Sequence, residues 1–202
     1  MLTRPDSNEY AVFYTNYIAR VPDGPLLDFL ARQPGDYRQL LVGLSDKDAI
    51  APTAPGKWSL KQILGHLCDT ERVITYRALR FARGDEQELQ GFEQDDYVRE
   101  AGSNSRSLED LLAEFESVRK ATIALLGSLP PGSEMKAGMA NGNRVTVRAL
   151  AYIAGGHAQH HYELLKARSG GAKGGLIKPG GSASGVKIIR ATRQSEPGQF
   201  NI

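Results

Sequence analysis

The sequence predicts an all-α protein, a four-helix bundle, and three observations carry that expectation. Four segments place apolar residues at helical spacing. Three of those segments open on a recognisable N-terminal cap. No segment carries a strong strand signal, and four amphipathic helices bury their stripes most simply against one another.

The first helix opens at Gly24-Pro25, where proline suits the first helical position. Leu26, Leu27, Leu30, Tyr37, Leu41 and Leu44 follow at mostly helical spacing. Pro34-Gly35 interrupts the pattern, since proline removes a backbone donor and glycine is a weak helix former, so a kink or two shorter helices are expected there. The second helix has a capping box, Ser59 with Gln62, and Trp58 and Ile63 occupy the hydrophobic-staple positions around it. Its stripe runs Leu60, Ile63, Leu67, Ile74, Ala78, Phe81, and Gly84 ends it. A long connection over 84–106 leads to the third helix, capped by Ser107 with Asp110 in the box position and stopped by Pro130-Pro131. The fourth follows "NGNRVTV", with Thr146 as cap and Val145 and Leu150 as staple, and runs to about Arg168. Residues 1–168 are therefore assigned to the bundle. Residues 169–202, rich in glycine and serine with little to bury, are expected to be a flexible extension.

The chain of 202 residues carries a net charge of +2, which gives no whole-protein case for nucleic-acid or membrane binding. The charge is uneven, because residues 166–202 hold seven basic side chains against Glu196 alone and so leave the body at −4. The single cysteine, Cys68, excludes an internal disulfide and suits a reducing cytoplasm. The first residues lack the apolar core of an export signal, and no apolar run approaches 18 residues. The expectation is a cytoplasmic protein acting on a small molecule, with a homodimer left open.

Three of the four histidines lie within "GGHAQHHYELL". His157 and His161 are one turn apart and continue the buried stripe through 150, 154, 157, 161 and 165. Buried imidazoles need partners, and a divalent metal between them would supply one. His160 lies to the side. His66 stands on the second helix, and two ligands from one helix with one from another can build a metal site within a bundle. Three neutral imidazoles suit zinc, nickel or iron(II) and leave positions open for water or substrate. The same spacing would also serve an exposed cluster or histidines hydrogen-bonded in a core. Ala158 stands where a zinc protease carries its glutamate base, which argues against proteolysis.

The stretches "APGKWSLKQILGHLCDTERVITYRALRFARGD", "GFEQDDYV", "LLAEFESVRKATIALLGSLP" and "NGNRVTVRALAYIAGGHAQHHYELL" resemble the DinB-like family, with its YfiT-like, bacillithiol-transferase members. The resemblance covers about residues 9–167. It implies a four-helix bundle holding a divalent metal on His66, His157 and His161. Zinc or nickel leads, with iron or manganese as further candidates. Family members with this arrangement include thiol transferases that use bacillithiol and maleylpyruvate isomerases that use mycothiol or glutathione. The resemblance thus implies a transferase with a low-molecular-weight thiol as cosubstrate. Metal-assisted hydrolysis and a non-catalytic, metal-stabilised binding protein are the rival readings. A fourth ligand from Glu71 or the long loop would favour the last of these.

Glu71 and Arg119 are the charged members of otherwise apolar stripes, placed either as a buried ion pair that orients the site or at a solvated rim. Asp69 could accept a hydrogen bond from His66 or lie in solvent. Cys68 points away from the metal ligands as a packed small hydrophobe. In the 84–106 connection, Glu93, Asp95, Asp96 and Tyr97 form an acidic loop that could cover one end of the bundle. Gly155-Gly156 is costly inside a helix and is expected either to admit a close neighbour or to be merely tolerated. Because residues 170–202 offer so little apolar surface, a chain ending at Ser169 should melt within a few degrees of the full chain in a thermal scan. A collapse in stability would show that the extension packs on the bundle.

Overall fold

The computed structural model describes residues 2–169, with side chains to residue 167. The extension expected over 169–202 lies, apart from Ser169, outside the described residues. Among the described residues seven α-helices occur: α1 (Thr15–Ile18), α2 (Leu26–Leu40), α3 (Asp46–Ala49), α4 (Leu60–Ala82), α5 (Gln94–Glu100), α6 (Leu108–Gly127) and α7 (Val147–Ser169). Four of them make the bundle. Helix α4 packs on α6 and α7, and α2 packs on the same two, so the order around the bundle is α2, α6, α4, α7.

The expected caps form. Ser59 Oγ accepts from the Gln62 N–H while the Gln62 side chain accepts from the Ser59 N–H. Ser107 Oγ accepts from Asp110 N, and Thr146 Oγ1 from Ala149 N. Helix α4 ends in a Schellman turn, in which Gly84 at φ +82° brings the Asp85 N–H to the Arg80 carbonyl.

Three expectations need correction. Helix α2 runs unbroken through Pro34-Gly35. The hydrogen bond lost at proline is outweighed by packing, since Leu26, Phe29, Leu30, Gln33, Pro34 and Tyr37 are all buried. The helix then stops at Leu40, short of Leu44, and Ser45 caps the separate α3 through the Asp48 N–H. A β-hairpin also occurs, with β1 (Ala137–Ala140) antiparallel to β2 (Asn143–Thr146). Its turn residues Asn141 and Gly142 both have positive φ, +49° and +72°, the requirement of a type I′ turn. The long connection pairs with this hairpin, since the Leu89 N–H donates to Met139 and the Asn141 N–H to Leu89.

The apolar interior divides in two. One cluster holds Leu26, Leu30, Ile74, Phe81, Leu126, Val147 and Leu150. The other holds Tyr37, Leu60, Leu64, Leu67, Leu111, Phe115 and Leu165. Every bundle helix contributes to both, so each crosses from one core to the other midway along its length.

The N-terminal segment is fastened to the start of α7 by Glu9. Its carboxylate accepts from Thr146 Oγ1 at 2.7 Å and from Arg148 Nε at 2.8 Å, and also pairs with Arg148 Nη2. The Arg148 hydrogen bond, above all, holds the Glu9 carboxyl down at about 2, against an ordinary 4.5. A depressed carboxylate stabilises the fold above its unfolded pKa and loses that contribution as pH falls toward the folded one. Glu9→Gln should cost about 1–3 kcal/mol at neutral pH. In denaturant melts the gap between variant and wild type should stay constant above about pH 5 and shrink from about pH 4.5 toward 2.

Candidate metal centre

The boundary between the two cores is polar, and each bundle helix supplies one part of it. Helix α4 brings His66, Thr70 and Glu71, α6 brings Arg119, α2 brings Gln33, and α7 brings His157 and His161. His66 and His157 are only 2% and 3% exposed, so their ring nitrogens are out of reach of bulk water.

The three imidazoles converge. His66 Nε2 lies 3.0 Å from His157 Nε2, and His161 Nε2 lies 3.2 Å from the same atom. All three ligand atoms fall within 4.8 Å of one another. Metal–nitrogen bonds of ~2.05 Å imply adjacent donor separations of roughly 2.9 Å in an octahedron and roughly 3.3 Å in a tetrahedron. The two separations from His157 Nε2, 3.0 and 3.2 Å, fall in that interval.

Charge sharpens the fit. Burial pushes His66 down to about 3. Burial first, then the neighbouring histidines, hold His157 and His161 well below the ordinary value. All three are therefore neutral at neutral pH, and neutral imidazole is the form that ligates metals. Hydrogen bonding among themselves serves them poorly, because His157 Nε2 faces two partners and has one proton or one lone pair to offer. On the outer side of its ring, His66 Nδ1 lies 3.3 Å from Thr70 Oγ1, which can accept its N–H and leave Nε2 free as a ligand. Asp69, considered for that role, instead pairs with Arg72 at 3.5 Å. His161 Nδ1 is buried with no hydrogen-bond partner among the described residues. Among the described residues no carboxylate or thiol joins the three histidines. The donor set thus suits a divalent cation and leaves any further coordination to non-protein ligands.

The matching segment for the DinB superfamily spans residues 30–165. The chain belongs to the DinB superfamily. Among solved structures it is similar to YfiT from Bacillus subtilis, described as a probable metal-dependent hydrolase with an unusual four-helix bundle topology. That likeness has a TM-score of 0.64 at 18% identity and covers 72% of this chain and 86% of that one, which establishes a shared fold. Comparison with curated proteins gives no match. The DinB segment contains all three histidines and all four bundle helices in whole or part, but not α1.

Behind the histidines of this DinB bundle runs a buried chain of polar contacts. Arg119 donates from Nε and Nη2 to Glu71 Oε2, at 3.1 and 2.8 Å, and from Nη1 to Gln33 Oε1 at 2.6 Å. Gln33 Nε2 then donates to the Gly155 carbonyl at 2.9 Å, two residues before His157. Glu71 and Arg119 are 3% and 1% exposed, so they form a buried pair and not a solvated rim. Glu71 Oε1 is buried and has no hydrogen-bond partner among the described residues. Cys68 is buried too, and burial raises its thiol to about 12, which keeps it a protonated packing group.

Two glycines let segments outside the four bundle helices reach this level. A Cβ on Gly65 would lie 2.2 Å from Ser103 Oγ, where the chain before α6 crosses α4 beside His66. A Cβ on Gly156 would lie 1.9 Å from the Tyr17 carbonyl, so α1 rests directly on the α7 backbone. Tyr17 thereby brings its ring edge-on to His157 and His160, at centroid distances of 5.4 and 5.5 Å. His160 itself stays half-buried and outside the ligand group. Of the two outcomes left open for Gly155-Gly156, close approach is the one found at Gly156, but nothing local signalled Gly65, Tyr17, Gln33 or Thr70 as neighbours of the site. Gly156→Ala should lower stability by about 1–2 kcal/mol, because overpacking against a backbone carbonyl exceeds the ~1 kcal/mol gained in helix propensity. Gly155→Ala meets the movable Leu30 Cδ2 at 2.9 Å and should come out close to neutral in the same melts.

Proposed function

We propose that this DinB protein is a metal-dependent enzyme that transfers a low-molecular-weight thiol to an electrophilic small molecule. His66, His157 and His161 hold the metal, zinc or nickel first, with iron or manganese as further candidates. The observation that carries the reading is the convergence of three neutral imidazole nitrogens with no carboxylate among them. A divalent cation held there would be a Lewis acid and would lower the pKa of a thiol or water beside it. The absence of an acidic base from the group suits a thiol, which needs only to lose a proton to become a strong nucleophile.

The chain's own residues perform the remaining tasks. Thr70 holds the His66 ring in the tautomer that presents Nε2. Glu71, Arg119 and Gln33 act as positioning residues, fixing the α7 backbone at Gly155 and so the direction in which His157 points. The catalytic unit is residues 1–168.

Metal-assisted hydrolysis is the second reading, favoured by the likeness to YfiT. One set of measurements separates the two. Untagged protein should retain stoichiometric metal by elemental analysis. His66→Ala, His157→Ala and His161→Ala should each lose most of it, while His160→Ala keeps it. With monochlorobimane as electrophile and a panel of small thiols, turnover should require both metal and thiol. Thiol-independent ester hydrolysis by the loaded protein, lost in His161→Ala, would establish the hydrolase instead.

A further inference from the structure

Trp58 lies against the metal ligands without belonging to the polar layer. Its ring centroid is 4.7 Å from that of His66, at an interplanar angle of 51°. His66 is almost wholly enclosed, whereas Trp58 is half-buried, so the indole has one part on the ligand ring and another in solvent. Its place is set by polar bonds on both sides. The Trp58 carbonyl accepts from the Thr53 N–H at 3.1 Å and from Thr53 Oγ1 at 2.9 Å. The indole Nε1–H donates to Asp95 Oδ1 at 3.1 Å, on the exposed helix α5 of the long connection.

A residue needed only as the staple of α4 would be held by apolar contact alone. Trp58 does pack beside the core cluster that contains Ile63, yet its edge is also fixed by Asp95 from a segment 37 residues away. The indole is therefore oriented before anything binds, and preorganised aromatic surface is inexpensive to bind against. Tyr17, the other ring at the centre, differs. It is 6% exposed and locked under α7 at Gly156, which makes it a wall without an open face.

We infer that Trp58 determines substrate specificity at this centre, by offering its indole to a planar, unsaturated group on the molecule that binds beside His66. A cationic group suits the position less well. A divalent ion among the three histidines would repel it, and the buried carboxylate of Glu71 is paired with Arg119. The favoured ligand is neutral or anionic, with an aromatic or conjugated portion next to its metal-binding atoms.

This inference rests on the metal reading above, and one experiment separates their failures. Trp58 is the chain's sole tryptophan, so its emission reports directly on the site. Nickel added to the metal-free protein should quench that emission. Isothermal titration calorimetry reads wild type and tryptophan-free variants alike. By that method nickel and then acetohydroxamate or benzohydroxamate, which share a metal-binding head and differ by a planar ring, are titrated into each protein. Trp58→Phe retains a ring, and Trp58→Met retains apolar bulk for the staple without one. The preference for benzohydroxamate over acetohydroxamate should be kept in wild type and Trp58→Phe and should fall about fivefold in Trp58→Met. Nickel affinity and melting temperature should be similar in all three. Equal preferences in the Phe and Met variants would overturn the role of Trp58 while leaving the metal centre standing. No quenching and no hydroxamate binding by wild type would overturn the metal reading, and this inference with it.

Discussion

A layer of buried polar groups crosses the middle of this bundle, and burial makes their pairing obligatory. Gln33, Glu71, Arg119 and the three histidines come from all four bundle helices and meet between two separate apolar cores. An apolar layer could tolerate one helix sliding against its neighbours at modest cost. This layer cannot, because each shift would leave an arginine, a carboxylate or an amide without its partner in a low-dielectric interior. Replacing such a network wholesale with apolar residues is often neutral or stabilising, so its value lies in fixing register and not in net stability. The register it fixes is the one that brings His66 on α4 opposite His157 and His161 on α7.

The route from that layer to the ligands is short. Gln33 bonds Arg119 on one side and the Gly155 carbonyl on the other. One turn further along α2, Tyr37 donates to the Ala158 carbonyl at 2.7 Å. Helix α7 is thus held from α2 on both sides of His157, while the opposite face of α7 receives α1 at Gly156. A ligand helix gripped in this way offers its imidazoles with little freedom to reorient. That geometry lowers the ordering cost of ligating an ion.

Much of this was legible in the sequence, because it depends on local chemistry. The caps at Ser59, Ser107 and Thr146, the stripes behind them and the phase of His157 and His161 all follow from spacing within one helix. One charge on each of two apolar faces left two placements open for Glu71 and Arg119, and the buried pair is the one that forms. What escaped has two causes. The Asn141-Gly142 turn was a readable hairpin signal, but its strands are four residues each and gave too little alternation to stand out. Thr70 beside His66, Gln33 beneath Gly155 and Tyr17 above Gly156 depend on which helices become neighbours, and that is set only by the assembled bundle. Pro34 misled for the same reason, since the packing that holds α2 together is tertiary.

The ligands and the walls of the centre come from different classes of structure, and that division bears on how the site would choose a substrate. The histidines stand on long helices locked by the polar layer. Trp58 comes from the turn before α4, and the carboxylate that orients its edge comes from the connection between α4 and α6. Connecting segments change with little penalty to a bundle core, whereas loss of one member of the layer would leave its partner buried and unpaired. On the proposed reading, metal ligation and substrate selection would therefore be separable in this architecture. The same three imidazoles could serve a thiol, a water or a different electrophile, according to what the loops place beside His66. On that reading the fold and the three histidines would set the chemistry available, and the residues around Trp58 would set the substrate.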